Sequence, residues 1–194
     1  MKYFVGIDIG GTTTTLAVGD AQHNIIWVSD QFPTEAAAGP AVSIRNISLQ
    51  MVAAAKALGA ELGDFAAVGL STPGPASLDG TLYNSPNLRH PDWNNFSIRS
   101  GLEAKLLETG FKCQVCYVGD GQAAAFGEFQ VRSGRWRWSG AEIVQPDLKL
   151  RSMAMVIVGT GLGGGEVREG KVVRGAAGRA GHAGHIFLPP TAFR

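Results

Sequence analysis

The chain has 194 residues, 45% of them hydrophobic and 17% charged, so it can bury a core and is not a disordered polymer. Seventeen basic residues against sixteen acidic ones leave a net charge of +1, which gives no general footprint for nucleic acid or an acidic membrane. No apolar run approaches the roughly 18 residues needed to span a bilayer, and Asp8 comes too early for a signal peptide, so a cytoplasmic protein is the expectation.

Tyr3 to Ile9 reads as a strand rich in β-branched and aromatic residues. Gly10-Gly11 turns the chain, Thr13 to Gly19 returns, and Asn24 to Phe32 makes a third strand of an antiparallel meander. Helical spacing of apolar residues then predicts a long amphipathic helix from Pro40 to Leu62. Ala66 to Leu70 is a short buried strand, residues 76–96 are loop-like, and Ser97 caps a helix running to Thr109. Gln114 to Val118 is the next strand, Gln122 to Val131 the next helix, and 132–150 a surface excursion. Met153 to Val158 is a buried strand, and Glu166 to Arg174 a hairpin turning at Glu169-Gly170. This order suggests a mixed sheet with helices on its faces. The glycine-turned hairpin at 159–175 suggests a second, related lobe beginning near residue 130. Only nine residues follow His185, so that lobe is expected to be incomplete and the chain to be part of a longer protein.

Two features invite special readings and are expected to be ordinary. Cys113 and Cys116 have CxxC spacing, but they lie in a strand rather than at a helix N-terminus and have no second CxxC, so buried or half-buried free thiols are expected. Arg132, Arg135 and Arg137 with Trp136 and Trp138 form a basic, aromatic cluster, for which a solvated loop is expected.

Four segments carry candidate chemistry. Asp8-Ile9-Gly10-Gly11-Thr12-Thr13 sits between two strands, where backbone amides and threonine hydroxyls can approach phosphate oxygens and Asp8 can hold magnesium directly or through water. It lacks the lysine of a P-loop, and a strand follows it where the Rossmann fingerprint needs a helix. Asp120 closes a strand and opens a helix, a position for a general base or for a simple helix cap. Gly159-Thr160-Gly161-Leu162-Gly163-Gly164-Gly165 is either a second phosphate turn or a tight hairpin. His182 and His185, three apart among small residues, could bind a sugar, a metal or nothing.

Taken together these segments resemble the ROK family of sugar kinases and related repressors. Asp8-Ile9-Gly10-Gly11-Thr12 resembles the family's first phosphate motif, and 159–165 its second. Thr72-Pro73-Gly74-Pro75, Gly80, Asn84-Ser85-Pro86-Asn87-Leu88 and Trp93 resemble its sugar-side signature. Gly119-Asp120-Gly121-Gln122 to Glu128 resembles the segment with the catalytic aspartate, and Gly178 to His185 the stretch that ends Glu-x-Gly-His. The resemblance implies an actin-like, ribonuclease H-like ATPase fold of the α/β class: a mixed sheet with helices on both faces, an N-terminal lobe over 1–130 and an incomplete second lobe over 131–194. It implies ATP and magnesium as cofactors and a hexose substrate, with Asp120 as the base. It places Gly10, Gly11, Thr12, Thr13, Gly159, Thr160, Gly161 and Gly163 on phosphates, and Pro73, Gly74, Asn87, Asp120, His182 and His185 on the sugar. Dimers are common in the family, so a homodimer is one expected assembly.

Three departures bear on that reading. Gly119 stands for the family's asparagine before the catalytic aspartate, Gln122 for the asparagine two after it, and His182 for its sugar-binding glutamate. An imidazole offers one donor and one acceptor where a carboxylate only accepts, which alters sugar recognition. The zinc cysteines of the family are absent after His185, so zinc is not expected. The later region that holds adenine is absent too, and little or no kinase activity is expected of 194 residues alone. The alternative is a non-catalytic sugar-binding or regulatory ROK protein. A repressor needs an N-terminal helix-turn-helix, for which a first phosphate motif at residue 8 leaves no room.

Overall fold

The computed structural model describes residues 1–138, 145–158 and 162–185. Strand β1 (Tyr3–Ile9) alternates strictly, with Tyr3, Val5, Ile7 and Ile9 buried and Phe4, Gly6 and Asp8 on the other face. Strand β2 (Thr13–Asp20) returns antiparallel, and β3 (Asn24–Val28) pairs antiparallel to it. The expected third strand breaks after Val28. Ser29 uses its Oγ to accept the Leu16 amide (3.0 Å), which interrupts the ladder, and pairing resumes as β4 (Phe32–Pro33) against Thr13 and Thr14.

Helix α1 spans Pro40–Leu58, with Pro40 in its first turn and Ile44, Ile47, Met51 and Ala55 buried. It ends four residues short of the expected Leu62. Gly59 adopts the left-handed conformation (φ 61°), and its amide returns to the carbonyls of Ala55 and Lys56. Strand β5 (Phe65–Thr72) runs parallel to β1. The 76–96 segment is irregular, as expected, but firmly anchored. Leu82, Leu88 and Trp93 are buried, and the Trp93 indole donates to the Ala36 carbonyl at 2.8 Å. Helix α2 (Ile98–Thr109) begins at Ser97, whose Oγ accepts the Ser100 amide. Strand β6 (Gln114–Gly119) runs parallel to β5 and leads directly into helix α3 (Asp120–Arg132).

After α3 comes a short strand β7 (Arg137–Trp138), parallel to β3. The basic, aromatic cluster is therefore not a solvated loop. It extends the sheet edge, Trp136 stacks on His23 with ring centroids 4.8 Å apart, and the Arg135 guanidinium lies 5.1 Å from the Phe129 ring centre. The cysteines divide: Cys113 is buried, whereas Cys116 is exposed by the strand's alternation.

The larger sheet has the order β6-β5-β1-β2-β3-β7, with β4 beside β2. A second, three-stranded antiparallel sheet holds β8 (Met153–Val158), β9 (Leu162–Arg168) and β10 (Lys171–Val172), with the β9–β10 turn at Glu169-Gly170 as expected. Helices α1 and α2 pack together on the face of the large sheet that carries Val5, Ile7, Val68 and Val115. Helix α3 borders the opposite face, where Phe126 and Gly127 share a groove with Phe4, Gly6 and Gly69, and it also packs on β8, β9 and β10. Among the described residues no helix is long and apolar enough to cross a membrane.

The join between α3 and the second sheet is a contact of main chain on main chain. A Cβ on Gly121 would lie 2.4 Å from the Gly164 carbonyl oxygen, and one on Gly165 would lie 2.4 Å from that of Gly121. A Cβ on Gly181 would come within 2.9 Å of the Gly165 Cα. No side chain fits in these gaps, so Asp120, β9 and the 178–182 segment hold a fixed relation.

Three stability predictions follow from this packing. Gly121→Ala should lower unfolding free energy by about 1–3 kcal/mol through overpacking against backbone. Gly127→Ala, six residues along the same helix with nothing within 4 Å, should raise it by about 0.5–1 kcal/mol. Met51→Ala, in the α1 core, should cost about 2–5 kcal/mol. Urea unfolding followed by far-UV circular dichroism measures all three.

Candidate functional site

Three parallel strands end side by side, and the candidate residues sit at those ends. The register pairs Asp8 of β1 with Ser71 of β5, and Thr72 of β5 with Gly119 of β6. Because Asp8 occupies the outward phase of β1, it faces the open side of the sheet rather than the core. Ser71 Oγ donates to Asp8 Oδ1 at 2.8 Å and fixes that carboxylate. Asp120 follows β6 directly as the first residue of α3, at the carboxyl edge of the parallel strands where open α/β sheets hold ligands.

Two cavities meet at Asp120. The larger, about 570 Å³, is lined by Asp8, Ser71, Asp120, Gly121 and Gly163. The smaller, about 80 Å³, is lined by Gly74, Tyr117, Asp120, Gln122, Gly163 and His182. The structure thus gathers Asp8, Gly74, Asp120, Gly163 and His182 from the candidate residues into one cleft.

The Asp120 carboxyl is held above the ordinary carboxylate value of 3.8. Loss of hydration is the largest cause, and the negative charge of Asp8 adds to it. The Gly121 amide, 2.7 Å away, and His182 pull the other way. The residue as a whole is exposed at the cleft mouth, so cleft water moderates the effect. Tyr117 is raised too, mainly by burial, and its hydroxyl pairs with Thr72 Oγ1 at 3.0 Å.

The 10–13 turn is internally braced. The Gly10 amide donates to the Thr13 carbonyl at 2.9 Å, and Thr34 Oγ1 donates to the Gly10 carbonyl at 2.8 Å. Thr12 and Thr13 are exposed. Asn87 lies against Gly11, where a Cβ would be 2.8 Å from the Asn87 carbonyl oxygen, rather than on the walls of the two cavities. The carbonyl of the buried Pro73 accepts from Ser85 Oγ at 2.9 Å, which braces the Pro73-Gly74 turn. Gly159, Thr160 and Gly161 lie outside the described residues, as does the side chain of His185, which ends a single 3₁₀ turn over Ala183–His185. Glu128 pairs with Arg132 one helical turn on, at partial exposure, and does not reach the cleft.

Sequence reasoning missed Ser71 and Tyr117 as site residues. Ser71 was legible in principle, since a parallel partner for β1 has to put a residue beside Asp8. Tyr117 was hidden by its ordinary place in a strand alternation. Among the described residues no three His, Cys, Asp or Glu side chains cluster as a metal site. Asp8 and Asp120 form a pair of carboxylates facing one cavity, a set that suits a hard cation shared with phosphate oxygens.

A family model described as "ROK family" matches residues 4–194. The glucokinase of Halalkalibacterium halodurans is 29% identical over 192 residues, covering 97% of this chain and 51% of that protein. The N-acetylmannosamine kinase of Vibrio vulnificus is 32% identical over 187 residues, covering 96% and 54%. Among solved structures, the ROK hexokinase of Thermus thermophilus superposes with a TM-score of 0.74 at 31% identity, covering 97% of this chain and 54% of that one. A ROK family glucokinase from Streptomyces griseus, solved with glucose and AMPPNP, gives 0.71 at 25%, covering 97% and 51%. The chain spans about half the length of the curated relatives it matches. By its matched sequence and by its actin-like ATPase fold, the chain belongs to the ROK family.

Proposed function

We propose that this chain supplies the sugar-binding and part of the phosphate-binding machinery of an ATP-dependent hexose kinase, with Asp120 as the general base. The observation that carries the proposal is the position of Asp120: one carboxylate, at the end of a parallel strand, on the wall shared by two cavities. The glucokinase and N-acetylmannosamine kinase relatives support sugar phosphorylation as the reaction class.

In this reading the sugar occupies the Gly74, Asp120 and His182 side, together with Pro73, Asn87 and His185. Asp120 accepts the proton of the attacking hydroxyl as that oxygen bonds to the γ-phosphorus of ATP, and ADP leaves with the electron pair of the broken bond. A carboxyl raised above its usual value binds that proton more readily, which suits a base working near neutral pH. Asp8, with Gly10, Gly11, Thr12, Thr13 and the 159–163 turn, faces the phosphates. Asp8, oriented by Ser71, would hold Mg²⁺, which neutralises charge on the transferred phosphoryl group. His182 offers one donor and one acceptor to sugar hydroxyls. The lobes divide near residue 130, ahead of the β8–β9 hairpin. The protein works in the cytoplasm, as a homodimer, without nucleic acid or membrane.

The test is transfer of labelled γ-phosphate from ATP to glucose, mannose, fructose and N-acetylmannosamine by the native-length protein, with sugar binding measured in parallel by calorimetry. Asp120→Asn should lower turnover by about 10²–10⁴-fold with binding largely kept. Unchanged turnover would remove Asp120 from the base role. Sugar binding without transfer, in a chain that binds nucleotide, would favour the non-catalytic reading that Gly119 and His182 suggest.

The same substitution has a stability signature. A raised value in the folded state means that the folded protein holds this proton more tightly than the unfolded chain does. Ionised Asp120 therefore subtracts from stability, and the subtraction sets in as pH rises from 3.8 through the raised value. Asp120→Asn should raise the Tm at pH 7, and the gain should vanish below pH 3.8. Scanning calorimetry across that range checks it.

A further inference from the structure

Gln122 follows Asp120 by two residues, in the first turn of α3, and is only 2% exposed. Its Nε2 donates to the Gly178 carbonyl at 3.1 Å and to the Ala180 carbonyl at 2.9 Å. Both acceptors belong to the irregular segment that leads into His182. Two backbone bonds of that segment are local: the Ala180 amide to Arg174 (3.2 Å) and the Ala183 amide to Gly181 (2.8 Å). Neither ties it to α3. Gln122 Oε1 is buried with no partner among the described residues, and it lies 3.8 Å from where a Cβ on Gly119 would sit.

The chemistry admits one orientation of this amide. Turned over, it would set its oxygen against two carbonyl oxygens. No isosteric replacement does the same work. Methionine fills the volume but donates nothing, glutamate would face two carbonyls with a negative charge, and asparagine is one methylene short. The glycine contacts below set how close the segment comes, while a side-chain clamp sets its register along α3.

We propose that Gln122 is a positioning residue of the site, locking the 178–182 segment to the start of α3 and so holding His182 on the same cavity as Asp120. The proposal rests on the reading of those two residues as one site, and it does not require that the chain transfer phosphate. It gives the glutamine at 122 a purpose beside the bare Gly119: the side chain at 182 arrives on a segment whose Gly178 and Ala180 lie 56 and 58 residues away in sequence, and one carboxamide sets its register.

The test is a double-mutant cycle read at the Asp120 carboxyl by carbon-13 NMR titration of the whole chain. The groups facing Asp120 are Asp8, His182 and Tyr117, with Arg174 beyond Tyr117. His182 pulls Asp120 down, so His182→Ala should shift the Asp120 titration upward. In the Gln122→Met background the same change should produce a smaller upward shift, because the glycine contacts keep the segment near while its register along α3 is no longer fixed. An equal shift in both backgrounds would overturn the proposal. A second measurement needs no variant and covers the case of a Gln122→Met chain that does not fold. In the wild-type chain the Gln122 Nε2 hydrogens should exchange slowly and show through-bond couplings to the Gly178 and Ala180 carbonyl carbons. Exchange at the rate of a free glutamine amide would overturn it equally. A chain that transfers no phosphate can still show the coupling, so this proposal and the kinase reading fail separately.

Discussion

Main chain meets main chain where the first turn of α3 lies on β9, and the geometry of the cleft depends on that contact. Gly121, Gly164, Gly165 and Gly181 come so close that a single methyl group on Gly121 or Gly165 would fall 2.4 Å from a carbonyl oxygen of the other element. Close-packed interiors transmit such a clash instead of absorbing it. The consequence is that a helix belonging to the large sheet and a hairpin belonging to the small one share one boundary. Asp120 stands at that boundary and therefore faces Asp8 on one side and His182 on the other. Without the glycines the two sheets would sit farther apart and the cleft would lose its shape.

The period-two pattern of β1 explains why the opposite wall is equally well defined. Four buried apolar residues fix the phase of the strand, and the same phase sends Asp8 outward. A slip of one residue would bury the carboxylate and expose the core. Parallel pairing with β5 then brings Ser71 level with Asp8, and the hydrogen bond between them occupies one lone pair of Oδ1 and orients the carboxylate. The position of the first acid is thus a by-product of core packing, while that of the second is a by-product of glycine packing.

Much of this was legible in the residues. The meander, the strand–helix alternation, the Ser97 cap and the Glu169-Gly170 turn follow from local patterns that tertiary structure does not override. Element ends were read less well, for reasons that lie outside propensity. Gly59 stopped α1 by adopting a left-handed cap, and Ser29 split the third strand with a side-chain acceptor, neither of which changes the apolar period. The arginine–tryptophan cluster looked solvated because its partners, His23 and Phe129, are distant in sequence or buried inside α3. The motifs of the site were visible as residue types, but which of them meet was not. Asn87 lies against Gly11, away from the walls of the two cavities, and Gln122 looked like a simple substitution until its two carbonyl partners were in view.

The charge of the cleft gives the histidine at 182 a physical meaning. Asp8 already pushes Asp120 upward, so a third carboxylate at 182 would push it further. The histidine does the reverse: its ring, when charged, draws Asp120 down toward the ordinary range, and its neutral form offers one donor and one acceptor to a hydrogen-bonding partner. In the proposed reading, a histidine at 182 gives up acceptor capacity toward a sugar and leaves Asp120 easier to ionise. Gly119 removes a further polar side chain from the same wall, leaving Asp120 and His182 as the ionisable groups of the smaller cavity together with the hydroxyl of Tyr117. Recognition there rests on few groups, each able to donate or accept at neutral pH, so their mutual placement matters more than their number. That is the condition under which a buried carboxamide at 122, bonded to the segment carrying one of them and two residues from the other, governs the site without touching a substrate.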